Sequence, residues 1–199
     1  MSPRNLELLF ELGTMRHIAR TWHQFGGLPF ANLADHSMRV AWIAMMIGAK
    51  EGGDLGKIAQ MALVHDVGET RTGDVHYVSR MYTKRNEELA IHDTLSETLL
   101  EEKMIPLWEE AEAKQTLEAK IVKDADNLDC DLEFVEQSVN GTVWGEEIQA
   151  RRLAVRERLF TETARQLFDQ IYQSNPHDWH RNGRNRLTAG DWSQPVKDR

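Results

Sequence analysis

Three polar side chains gather at one point of the sequence: His65 and Asp66 are adjacent, and Glu69 follows one helical turn later. They close an apolar stripe in which Leu55, Ile58, Ala62, His65 and Glu69 succeed one another at spacings of 3, 4, 3 and 4, which places all five on one helix face. An imidazole nitrogen and a carboxylate oxygen converging there are typical ligands of a divalent ion, and a second carboxylate is left for proton transfer. The bland alternative is a helix end with ordinary polar residues. His36 repeats the oddity at the head of a stripe continued by Val40, Ile43 and Ile47. It points inward, as a metal ligand or as a hydrogen-bonded core histidine. Asp126, between Asp124 and Asp129, borders the face made by Ile121, Ala125, Leu128 and Leu132. A carboxylate at the edge of a buried face needs a cation, a metal or a helix to cap.

The elements that position these groups read as helices, and no alternating run of β-branched residues is long enough for a strand. The fold class is therefore all-α. A first helix covers Leu6, Leu9, Phe10 and Leu12, and residues 23–32, with Gly26, Gly27 and Pro29, form a loop. The second helix is capped by Asn32 or Asp35 and runs to about residue 50, where Gly52 and Gly53 stop it. The third covers 54–69, Gly73 opens a connection, and further helices follow over 84–103, 106–113, 117–138 and 146–173. Residues 174–199 are rich in Asn, Arg, Asp and Gly, with apolar content in Trp179, Leu187 and Trp192. The chain thus divides into a single helical domain, 1–173, and a polar tail, 174–199.

Composition narrows the chemistry. The 199 residues carry a formal charge of −8, which disfavours a protein that grips polymeric nucleic acid and leaves a small, locally contacted phosphate. Cys130 is the only cysteine, which excludes disulfide frameworks and cysteine-rich zinc modules. The longest uncharged apolar run, 40–49, is ten residues and too short for a membrane span, and the N-terminus does not read as a signal peptide. A cytoplasmic location with no membrane association is the expectation. Three His-Asp pairs occur, but His92-Asp93 lies in a stretch dense in Glu and Lys, and His177-Asp178 in the polar tail. Only His65-Asp66 follows an apolar run and has an acid one turn beyond.

In order and context these motifs resemble the HD-domain superfamily of metal-dependent phosphohydrolases, in which a histidine, a His-Asp pair and a distant aspartate follow one another. His36 in the stretch Asn32 to Ser37, His65-Asp66 before Val67-Gly68-Glu69, and Asp126 before Asn127-Leu128 match that order, with 29 residues from His36 to His65 and 60 from Asp66 to Asp126. The resemblance spans about residues 5–170 and implies a compact helical HD domain. Arg20-Thr21-Trp22 and Thr72-Gly73-Asp74 are similar to the 5′-deoxynucleotidase branch. The chain departs from that branch at Asp35, where a longer acid is usual, and at His76, where proline or a small residue is common.

The resemblance implies one divalent ion (Co, Mn, Zn, Fe, Ni or Mg) on His36, His65, Asp66 and Asp126, with positions left open for water and a phosphate oxygen. It implies that Glu69 positions or deprotonates the water, that Arg20 holds the phosphate with Trp22 nearby, and that Asp74 serves catalysis at the nucleotide sugar. Each of the last three has a plainer reading: Arg20 as a surface ion pair, Trp22 as a core or hinge anchor, Asp74 as a turn residue. The implied activity is hydrolysis of (deoxy)nucleoside 5′-monophosphates to nucleoside and phosphate. The alternatives are a binuclear phosphodiesterase or oxygenase that recruits His76 and His92, and a sensor that holds nucleotide and metal without turnover. Members of the branch are commonly homodimers, and Leu153, Leu159, Phe160 and Leu167 either serve such an interface or belong to the core.

Overall fold

The structure is a computed structural model, described for residues 2–26 and 30–181. Helices α1 (Pro3–Gly13), α2 (His23–Gly26), α3 (Leu33–Glu51), α4 (Leu55–Val64), α5 (Glu69–Thr72) and α6 (Glu87–Leu95) make up the first half. The second half contains α7 (Glu101–Ala113), α8 (Leu117–Val139), α9 (Glu146–Arg156), α10 (Glu162–Gln173) and α11 (Asp178–Arg181). Among the described residues the only extended pairing is a lone antiparallel bridge between Ala19 and Asn32.

α3 is the central element, packed against both α4 and α8, which also touch each other, with α10 packed on α8. Both predicted caps of α3 take part in its start. The Asn32 side chain accepts the Asp35 N–H, and the Asp35 carboxylate accepts the Asn32 N–H in return. Gly52, at φ 80°, ends the helix in the left-handed conformation that glycine adopts without strain. Val40, Ile43 and Ile47 of α3, Ile58 and Met61 of α4, and Ile121, Ala125 and Leu128 of α8 form the main core. A Cβ on Gly48 would collide with the Ile58 side chain, so the bare glycine lets α3 and α4 approach.

The chain departs from the expected helices in four places. The third helix ends at Val64, because the Val67 N–H turns to Val64 O and the Glu69 N–H to Asp66 O, tighter i+3 bonds that break the α-helical register before Glu69 begins α5. The expected 84–103 helix breaks after Leu95, where Glu97 takes φ 62° and the Thr98 hydroxyl donates to Leu95 O; α7 then starts at Glu101 and carries Pro106 inside it. The expected 146–173 helix splits around Leu159, because the buried Asp124 carboxylate accepts the N–H groups of Phe160 and Thr161 and the Thr161 hydroxyl, and Thr161 caps α10. Residues 23–26 of the predicted loop form one helical turn, while Gly27 and Pro29 lie outside the described residues.

The candidate interface stripe is divided between inside and outside. Leu159 is core and Leu167 packs against it, whereas Leu153 and Phe160 are exposed. Within the tail, α11 follows residues 174–177 and carries an exposed Trp179, and the stretch 182–199 with Leu187 and Trp192 lies outside the described residues.

Candidate active site

His36 sits in the first turn of α3, completely buried, with carboxylates on both sides of its ring. Its Nδ1 is 2.5 Å from Oδ2 of Asp129, and its Nε2 is 3.4 Å from both Oδ2 of Asp66 and Oδ1 of Asp126. His65, at the C-terminal cap of α4, donates from Nδ1 to Ala62 O at 2.7 Å and places Nε2 3.3 Å from Oδ2 of Asp66. A histidine whose Nδ1–H is engaged presents Nε2 as its lone-pair nitrogen. Both Nε2 atoms are buried without a hydrogen-bond partner. The ligand atoms of His36, His65 and Asp126 all lie within 4.8 Å of one another. Two orphaned imidazole nitrogens facing carboxylates are a donor set that a divalent ion fits.

The charges reinforce that fit. Burial opposes ionisation of Asp66, yet His65 and His36 hold its carboxyl well below the usual range. Asp126, equally opposed by burial, is held low by Lys123, whose Nζ is 2.6 Å from Oδ2, and by His36. Burial pulls the His36 pKa down, but the surrounding carboxylates of Asp126, Asp129 and Asp66 outweigh it and hold the ring well above its ordinary value. Around the two imidazoles, the carboxylates of Asp66 and Asp126 are thus kept ionised despite their burial.

Glu69 is nearly buried at the start of α5. Its Oε1 accepts from Arg85 at 2.8 Å, while Oε2 is buried and unpartnered. Burial first, then the negative charges of Asp66 and Asp74, push its carboxyl up to about 8 despite Arg85 and Arg20.

Arg20 is no surface ion pair. Its NH1 lies 2.9 Å from Oδ2 of Asp74 and 3.5 Å from Oδ2 of Asp66. Asp74 follows Gly73, which holds φ at 71°, and its carboxylate also accepts the Thr21 N–H at 3.0 Å and the Thr21 hydroxyl at 2.6 Å. Trp22 meets Phe134 edge-on at 5.0 Å between centroids and leans on Tyr77 at 6.1 Å. Arg20, Trp22, His65, Asp66, Glu69, Asp74 and Asp126 all line one cavity of about 470 Å³. His36 does not line the cavity itself; it lies fully buried behind Asp66 and Asp126. A larger apolar groove of about 750 Å³, walled by Phe134, Trp144, Phe168 and Tyr172, contains none of the histidines or acids singled out in the sequence.

The structure does not bring His76 or His92 to this cavity. Both ring nitrogens of His76 face Ser79, and His92 is exposed on α6, 4.0 Å from Glu109. Three neighbours carry no role in the sequence reading: Asp129, Arg39 and Arg85. Asp129 and Arg39 were detectable as third residues after Asp126 and His36, on the same helix faces. Arg85 has no local signal, because it reaches Glu69 and Gly73 O only after the chain folds back between α5 and α6.

The HD-domain family pattern matches residues 12–168. The chain is 32% identical over 145 residues to the 5′-deoxynucleotidase HDDC2 of Dictyostelium discoideum, covering 66% of this chain and 76% of that protein. It is 32% identical over 132 residues to a 5′-deoxynucleotidase of Erwinia tasmaniensis, covering 58% of this chain and 66% of that protein. A solved structure of a conserved hypothetical protein from Pyrococcus furiosus superposes with a TM-score of 0.70 at 27% identity, covering 85% of this chain and 99% of that one.

Proposed function

This chain belongs to the HD-domain family, as a hydrolase related to the 5′-deoxynucleotidases, and we propose that it hydrolyses (deoxy)nucleoside 5′-monophosphates to nucleoside and inorganic phosphate. It does so with one divalent ion on His36, His65, Asp66 and Asp126. The observation that carries this reading is the pair of buried, unpartnered Nε2 atoms of His36 and His65 set against two carboxylates. An ion held there supplies Lewis acidity toward a phosphoryl oxygen and lowers the pKa of a water from 15.7 toward about 7.

The remaining work falls to side chains around the cavity. Arg20, held by Asp74, presents its fork to the phosphate oxygens and offsets the charge that develops on them. Glu69 carries the proton: Arg85 holds one oxygen still, and the free Oε2 takes a proton from the attacking water or returns one to the leaving 5′ oxygen. Trp22 and Tyr77 offer an aromatic wall to the nucleoside. Asp74 acts from beneath Arg20 as a positioning residue; a direct sugar contact requires it to release Thr21 or Arg20. The homodimer belongs to the same proposal, supported by Met38, Trp42 and Met46, which stand exposed one turn apart along α3.

A phosphate-release screen over ribo- and deoxynucleoside monophosphates, run with each candidate ion, tests the activity. Release from 5′-monophosphates that disappears with chelator is expected. Failure to release phosphate from any of them with any ion contradicts the proposal.

A further inference from the structure

The His36 imidazole is oriented by an ionic relay that no part of the proposed reaction uses. Oδ2 of Asp129 is 2.5 Å from His36 Nδ1, and its other oxygen accepts from Arg39 Nε. Arg39 stands three residues after His36 on α3, and Asp129 three residues after Asp126 on α8, so the two helices meet through this pair. Arg39 is fixed in turn by both oxygens of Glu136, at 2.9 and 2.8 Å, and by Glu133 at 3.2 Å. Glu133 accepts the Ala31 N–H at 3.1 Å, which ties the relay to the segment that starts α3. His65 has no such device; its Nδ1 donates to a backbone carbonyl.

From this asymmetry we infer that Asp129, locked by Arg39, is an outer carboxylate that fixes the His36 ring with its Nε2 lone pair aimed at the metal site. The inference rests on the proposed metal site and deepens it. An anionic acceptor at Nδ1 excludes the tautomer that would place hydrogen on Nε2, and it makes the imidazole a stronger donor than a carbonyl acceptor does. Arg39 keeps Asp129 from rotating away, because its guanidinium is itself held by three carboxylates of α8, Asp129, Glu133 and Glu136. Asp129 and Arg39 touch neither substrate nor ion, and both are positioning residues.

The test is the Co²⁺ dissociation constant of the full-length chain, read by competition with a chromophoric chelator, for the unmodified protein, Asp129→Asn and Arg39→Gln. Asp129→Asn keeps the shape and removes the charge, and it is expected to weaken Co²⁺ binding by about 10–100-fold. Arg39→Gln acts through Asp129 and is expected to weaken it by about threefold or more, with Asp129→Glu retaining more affinity than Asp129→Asn. Arg39 is partly exposed, so its variant decides the matter if Asp129→Asn does not fold. Both variants binding Co²⁺ as the unmodified chain does would overturn the inference and leave the metal site standing. An unmodified chain that binds no Co²⁺ would overturn the proposed site itself.

Discussion

Glu69 keeps its two oxygens in different surroundings, one held by Arg85 and one buried without a partner, and this asymmetry suits a side chain that moves a proton. Glu69→Gln is expected to lower kcat by about 10²–10⁴-fold, with the ion content measured by metal analysis unchanged. The same carboxyl leaves a signature on folding of the metal-free protein. Between its ordinary value of 4.5 and the raised value of about 8 it is protonated in the fold and ionised in the unfolded chain, so stability falls as pH rises through that window. The slope from this group is at most about 1.4 kcal/mol per pH unit. Urea midpoints of metal-free protein at several pH values check it: the decline should be shallower in Glu69→Gln. Arg20 gives a second residue-scale prediction. Arg20→Lys retains the charge but loses the fork, and kcat/KM should fall about 10–100-fold, the worth of a charge-assisted hydrogen bond.

These residues were unequally legible in the sequence. His36 and His65 each interrupt an apolar stripe, and an inward polar group on a helix is visible to periodicity alone. The placement of Arg20 was open between surface and pocket, because its partners Asp74 and Asp66 are dozens of residues away. Arg85 was invisible, since only the return of the chain between α5 and α6 places it beside Glu69.

At the scale of elements, helices were legible and their interruptions were not. Propensity reads 146–173 as continuous, and the break depends on the buried Asp124 of α8, which collects two N–H groups and a hydroxyl from the α9–α10 joint. Asp124→Ala leaves those donors buried without an acceptor, at about 1–3 kcal/mol for each group, and should lower the chemical-denaturation midpoint markedly. The same logic explains why the third helix stops short of Glu69. The i+3 bonds over residues 64–69 replace the α-helical register, and Asp66 and Glu69 both line the cavity from that tighter turn. α3 and α8 then set the proposed metal site, because His36 comes from one and Asp126, with Asp129 behind His36, from the other.

For the whole molecule, the acidic balance disfavoured polymeric nucleic acid and left a small, locally contacted phosphate, and the cavity carries Arg20, Arg80, Arg85 and Lys123 among its walls. No helix of the described residues is long and apolar enough to cross a membrane. An ion held as proposed on His36, His65, Asp66 and Asp126 would join α3, the end of α4 and α8, so its removal should loosen the whole domain. At 100 times its dissociation constant a ligand adds about 2.7 kcal/mol, so thermal unfolding should shift upward when Co²⁺ or Mn²⁺ is restored to stripped protein. The most direct test joins binding to turnover. Metal-free protein is titrated with one divalent ion while bound ion and phosphate released from a deoxynucleoside monophosphate are measured together. Release that rises in proportion to bound ion and levels off at one ion per chain is expected. A chain that carries its ion and releases no phosphate, or releases it without any ion, would contradict the metal-dependent hydrolysis proposed for this site.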